Sequence, residues 1–212
     1  EIMKDDGEMA RLPDLIGFAA EHGLKIGSIA DLIAYRRASE TLVERTVETV
    51  MNGRIGGDWR LMVFENTISG IEHVALIKGD ISTPEPVLVR MHSLNMMTDL
   101  LGEVSERRSG HELELAMQTI SDAGRGIVVL LRESSKASLS ETISAKMSGS
   151  PAQDAGQGLR EYGVGAQILV ELGVSRMVLI SNRPSNVISL EGYDLEIVDW
   201  RHLNGDPAKQ AE

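Results

Sequence analysis

The apolar residues of this chain change period part-way along, and that change limits the folds open to it. From Trp59 to Glu65 they alternate well enough for a half-buried strand, and His73–Lys78 and Val87–Met91 read as two more. Upstream, Val47, Val50 and Met51 lead into Asn52-Gly53 and Gly56-Gly57-Asp58, a double turn signal. Short strands joined by tight turns predict a mostly antiparallel sheet in this half. Beyond Gly110 the spacing becomes helical, with Leu113, Ala116, Met117 and Ile120 on one face as far as Ala123. Gly124-Arg125-Gly126 stops that helix, and Ile127–Leu131 is a continuous apolar strand. Gln167–Leu172 lies in another helix, ended by Gly173; Met177–Ile180 reads as a buried strand and Leu195–Trp200 as a last alternating one. The expected fold class is therefore α/β (α+β), an antiparallel-rich sheet half followed by a strand–helix–strand half.

Charge narrows the partners. A net charge of −11 argues against a nucleic acid or an anionic membrane surface, while leaving room for a local basic pocket that holds phosphate. No apolar run approaches the length of a membrane span and no signal-peptide pattern is present, so a cytoplasmic protein is the default expectation. The sequence contains no cysteine, which removes disulfides and thiolate ligands alike. Seven of the seventeen residues from 134 to 150 are Ser, with few apolar residues to anchor them, and a mobile polar loop is expected there.

The first 37 residues form a separate unit. Arg11-Leu12-Pro13-Asp14 precedes a helical run from Leu15 to His22 with Gly23 as its stop, and Ser28 is placed to cap a second helix from Ile29 to Tyr35. Asp6-Gly7-Glu8-Met9-Ala10-Arg11 and Ile29-Ala30-Asp31-Leu32-Ile33-Ala34-Tyr35-Arg36 resemble the C-terminal end of 3,4-dihydroxy-2-butanone 4-phosphate synthase. The resemblance places Glu1 at an acidic residue that acts on the sugar phosphate. It implies a longer parent chain, in which an upstream synthase domain carries the magnesium chemistry. The expected division is 1–37 as synthase tail, 38–45 as linker, 46–203 as a second domain and 204–212 as a polar tail.

The second domain resembles GTP cyclohydrolase II of riboflavin biosynthesis. The motifs are Arg90-Met91-His92-Ser93-Leu94-Asn95, Glu106-Arg107-Arg108-Ser109-Gly110-His111-Glu112-Leu113, Gly79-Asp80-Ile81, Gly124-Arg125-Gly126, Tyr162-Gly163-Val164-Gly165-Ala166-Gln167-Ile168-Leu169 and Ser181-Asn182-Arg183-Pro184. The resemblance puts zinc cysteines where Asn95, Arg107 and Ser109 stand. Thiolates hold zinc tetrahedrally and leave one position for an activated water. A neutral amide, a guanidinium and a hydroxyl do not, so no zinc is expected in this fragment.

Other functional positions implied by the resemblance are also altered. An Asp that serves as base corresponds to Gly158, which has no side chain to move a proton, while Arg160 keeps the place of an Arg that engages phosphate. Arg90, His92 and Ser93 match residues near the nucleotide, but the acidic residue after them has become Leu94. Glu112 stands in place of a Gln and is expected to repel a triphosphate. Ser134-Ser135-Lys136 replaces a nucleotide-gripping Glu-Gly-Arg, and Ser181 replaces a Thr. A substitute metal site from His92, His111 and Glu112 is disfavoured, because adjacent helical residues project about 100° apart. Two functions emerge. One is a catalytically inactive domain serving its fused synthase as a structural or regulatory appendage, with homodimerisation implied by both families. The other is a nucleotide or phosphate sensor, or an enzyme with a remodelled zinc-free pocket, in which Arg90, Arg107, Arg108 and Arg160 would bind the anion.

Overall fold

In the computed structural model the described residues are 2–4, 7–27, 31, 35, 40, 42–104, 111–132, 140, 143–144, 154–182 and 193–203, side chains of 154–162 excepted. The chain divides into two compact units, 1–40 and 41–212.

In the first unit, helix α1 (Leu12–His22) starts three residues before the apolar run suggests. Pro13 tolerates the first turn because its missing N–H has no helical partner there, and the Asp14 carboxylate accepts the Arg11 N–H at 2.9 Å. Gly23, in the left-handed region, ends it. The helix expected over 29–35 falls almost wholly outside the described residues, as does Glu1.

The second unit is built on one mixed seven-stranded sheet. Its strands are β1 (Val43–Gly53), β2 (Gly57–Asn66), β3 (Glu72–Lys78), β4 (Val87–Ser93), β5 (Gly126–Leu131), β6 (Arg176–Ile180) and β7 (Glu196–Arg201). Their order across the sheet is β1-β2-β3-β5-β4-β6-β7. Pairing is antiparallel from β1 through β3 to β5, and parallel from β5 through β4 and β6 to β7. The two sequence halves thus share a single sheet. Linker residues expected up to 45 already belong to it: β1 begins at Val43, and the Leu42 N–H donates to Gln167 Oε1 at 2.9 Å.

Two helices cover opposite faces. Helix α2 (Glu112–Ala123) buries Ala116 and Ile120 against Trp59, Leu76, Leu88 and Val128. Helix α3 (Asp154–Glu171) is far longer than the apolar stretch 167–172 implied, and packs Ala166, Ile168 and Leu169 on Val89, Met91, Ile127 and Val129. The strand alternation explains the split, since Leu88 and Val89 point to different faces. Trp59 is fully buried and its indole N–H donates to Ile55 O at 2.8 Å; truncating such a side chain costs about 3–5 kcal/mol.

The glycine motifs have a packing reason. Gly79 has φ +66°, and a Cβ there would collide with the Gly124 carbonyl. Arg125 next to it donates to the carbonyls of Asp80 at 2.6 Å, Glu85 at 2.9 Å, Thr83 at 3.3 Å and Pro86 at 3.4 Å. One guanidinium therefore ties the whole 80–86 loop to the start of β5. Among the described residues no helix is long and apolar enough to cross a membrane.

Candidate functional site at the carboxyl end of β4

The chain leaves β4 through α2 to β5 on one side, then passes by α3 to β6 on the other. Connections that diverge left and right of one strand open a crevice at its carboxyl end, the usual ligand position in such sheets. The residues singled out from sequence, Arg90, His92 and Ser93, end that strand.

Arg90 and His92 pair in register with Val128 and Leu130 of β5, on the sheet face that α2 covers. Arg90 is 8% exposed, so its charge needs compensation. Its Nη2 meets Glu112 Oε2 at 2.8 Å, and its Nη1 donates to Ile180 O at 3.1 Å. Its Nε is buried and has no hydrogen-bond partner among the described residues. Glu112 is the first residue of α2, where the helix dipole favours an anion. The carboxylate expected to repel phosphate thus lies against an arginine of its own site.

His92 Nε2 lies 2.9 Å from Asp99 Oδ2, and both side chains are buried. Burial holds the imidazole below its ordinary pKa; the hydrogen bond and charge of Asp99 oppose this without overcoming it, so His92 is neutral near pH 7. The same Asp99 oxygen accepts the Asn95 N–H at 2.8 Å, and the other accepts the Thr98 hydroxyl at 3.2 Å. Asp99 was not picked out from sequence; the one available signal was a carboxylate in the polar Thr98-Asp99 pair just past a strand end.

Asn95 caps the short π turn Met96–Leu100, its amide oxygen accepting from the Met97 N–H at 3.0 Å and the Thr98 N–H at 3.2 Å. That oxygen is engaged by its own backbone. Its amide chemistry, the lack of cysteine and the occupied oxygen together give a donor set that does not fit a thiolate zinc centre. No group of three His, Asp or Glu side chains is disposed to hold a metal among the described residues.

Of the other expected residues, the side chains of His111 and Ser181 alone are among those described. His111 is exposed and faces Glu114 at 3.7 Å, whereas His92 pairs with Asp99. Ser181 follows β6, and its N–H donates to Arg201 O at 3.0 Å. Arg160 falls on α3, but its side chain is outside the described residues, as are Arg107, Arg108, Ser109 and Lys136 with most of residues 134–150; where a polar loop was expected there, the described Ser140, Ile143 and Ser144 are helical.

Residues 44–202 match the family model of GTP cyclohydrolase II, three quarters of the chain. The chain belongs to the GTP cyclohydrolase II family. Residues 1–35 match a second family model, 3,4-dihydroxy-2-butanone 4-phosphate synthase, so a segment of that enzyme family precedes the cyclohydrolase II domain. The riboflavin biosynthesis protein RibBA of Phocaeicola vulgatus is 44% identical, aligned over all of this chain and 54% of its own length. The chloroplastic bifunctional riboflavin biosynthesis protein RIBA 1 of Arabidopsis thaliana is 41% identical, over 93% of this chain and 38% of its own. Among solved structures, RibBX of A. baumannii, a two domain 3,4-dihydroxy-2-butanone 4-phosphate synthase, superposes with a TM-score of 0.61 at 32% identity. That match covers 95% of this chain and 52% of RibBX. The chain thus spans about half the length of its bacterial relatives. It is a riboflavin biosynthesis protein in which a cyclohydrolase II domain is fused to synthase sequence.

Proposed function

We propose that the cyclohydrolase II domain is catalytically silent and serves the fused synthase as a structural or regulatory appendage. The observation that carries this reading is Asn95: where the family resemblance puts a zinc thiolate, a neutral amide caps its own backbone turn. A domain without the metal lacks the activated water that the ring-opening hydrolysis requires. Gly158 in place of the base removes the proton acceptor as well. RibBX, similar over almost this whole chain, is itself described as a two domain synthase. On this reading the parent makes the four-carbon riboflavin precursor through upstream sequence and magnesium, as a cytoplasmic homodimer.

Two measurements test it. The 212-residue chain, supplied with GTP, magnesium and zinc, is expected to release no formate or pyrophosphate above background; sustained turnover would sink the reading. Deleting 41–212 from the parent is expected to lower synthase activity or shift its assembly state by sedimentation. No change in either would remove the appendage role.

A second reading, a site that still binds nucleotide or phosphate, is favoured by one specific feature. The buried Arg90 retains an unused donor at Nε. Weak binding of every nucleotide tried, with the site open, would rule it out.

A further inference from the structure

We propose that Glu112 is a built-in plug on an oxyanion site, occupying the edge of Arg90 that would otherwise take a phosphate group. The inference deepens the phosphate-binding reading above and rests on it.

A guanidinium presents its N–H donors in pairs. Nε–H and one Nη2–H run parallel along one edge, spaced for two oxygens of a single anion. Glu112 engages one of the two nitrogens of that edge: Oε2 meets Nη2 at 2.8 Å, while Nε has no partner among the described residues. The opposite side is fixed, because Nη1 donates to Ile180 O at 3.1 Å and so sets the plane of the group. A residue placed purely to neutralise Arg90 would be expected to satisfy both donors. A buried N–H left unpaired is costly, and a tetrahedral anion with two oxygens on the edge would satisfy it.

Position supports the same conclusion. The pair lies at the carboxyl end of β4, between connections that diverge to β5 and β6. The Glu112 side chain is 17% exposed against 10% for Arg90, so of the pair it is the one more open to solvent. As the first residue of α2 it can rotate outward without disturbing a helical turn. While it stays, an incoming dianion meets a carboxylate in its own binding position. The ligand chemistry is phosphate, free or carried by a nucleotide.

The test is calorimetric titration of the whole chain at low ionic strength, with inorganic phosphate and with GTP as probes. Glu112→Gln and Glu112→Ala are each expected to bind phosphate about tenfold or more tightly than the parent sequence, a difference near 1.4 kcal/mol. The gain should vanish in Glu112→Gln/Arg90→Gln. GTP binding much more tightly than phosphate would support the plug with a nucleotide as its ligand; equal affinity would support it with phosphate alone. The plug is overturned if both single variants keep the parent's circular dichroism and melting transition but bind no better. A gain that survives in the double variant overturns it too. Failure of both single variants to fold would also overturn it, since a plug is dispensable for folding. GTP turnover by the parent sequence would remove the silent-domain reading and leave this comparison standing.

Discussion

His73 illustrates how a single side chain can carry a pH dependence without being part of a site. It is 4% exposed on β3, and its Nδ1 accepts the Arg132 backbone N–H at 3.2 Å. Burial, with the Arg132 charge adding to it, lowers its pKa from 6.5 to about 4. The folded imidazole is therefore harder to protonate than the unfolded one, so the unfolded chain binds more protons between these values. Stability is fully present above pH 6.5 and falls as the pH drops toward 4, by about 3 kcal/mol from this residue. Urea titrations from pH 7 to 4 should show that loss, and His73→Gln should flatten it; an unchanged slope would refute the assignment. At this scale the sequence was informative about residue types and poor about partners. Arg90 and His92 were legible as strand-end polar residues, but Glu112 and Asp99 pair with them from positions 22 and 7 residues further on. Only folding brings those groups to bonding range, so the pairing of Glu112 with Arg90 was not visible in the sequence.

The π turn after β4 depends on one side chain. Asn95 satisfies two backbone N–H groups, and its own N–H reaches Asp99. Asn95→Ala is expected to cost about 1–2 kcal/mol, while Asn95→Asp should retain most of the cap. Chemical denaturation of both variants checks this, and equal losses would show that the amide oxygen is not what holds the turn. Among the elements, short alternating strands were read to within two residues at most boundaries, because turn glycines bracket them. Helix α3 was the exception. Its first half runs Asp154-Ala155-Gly156-Gln157-Gly158, where two glycines hide the helical period, and it is stabilised by packing further along. Likewise Arg125 read as part of a helix stop, whereas its four carbonyl contacts make it the anchor of the 80–86 loop.

For the molecule as a whole, the donor set at β4 predicts a stability that does not depend on zinc. A structural zinc is worth about 10–16 kcal/mol, so its removal would be unmistakable. Overnight treatment with a strong chelator is expected to leave the melting temperature unchanged; a drop of several degrees would mean a metal centre built from residues other than those described. Sequence reasoning reached the class of fold but split it into two halves, because local patterns cannot reveal that β5 joins the two. That strand hydrogen-bonds to β3 on one side and to β4 on the other. The meander from β1 to β3 needs only short-range contacts and can form early. Closing the sheet waits for β5, whose pairing with β3 spans some fifty residues and pays the loop-closure entropy in one step. Insertion of β5 is therefore the step expected to limit folding of this sheet, with β6 and β7 docking afterwards on a nucleus already assembled.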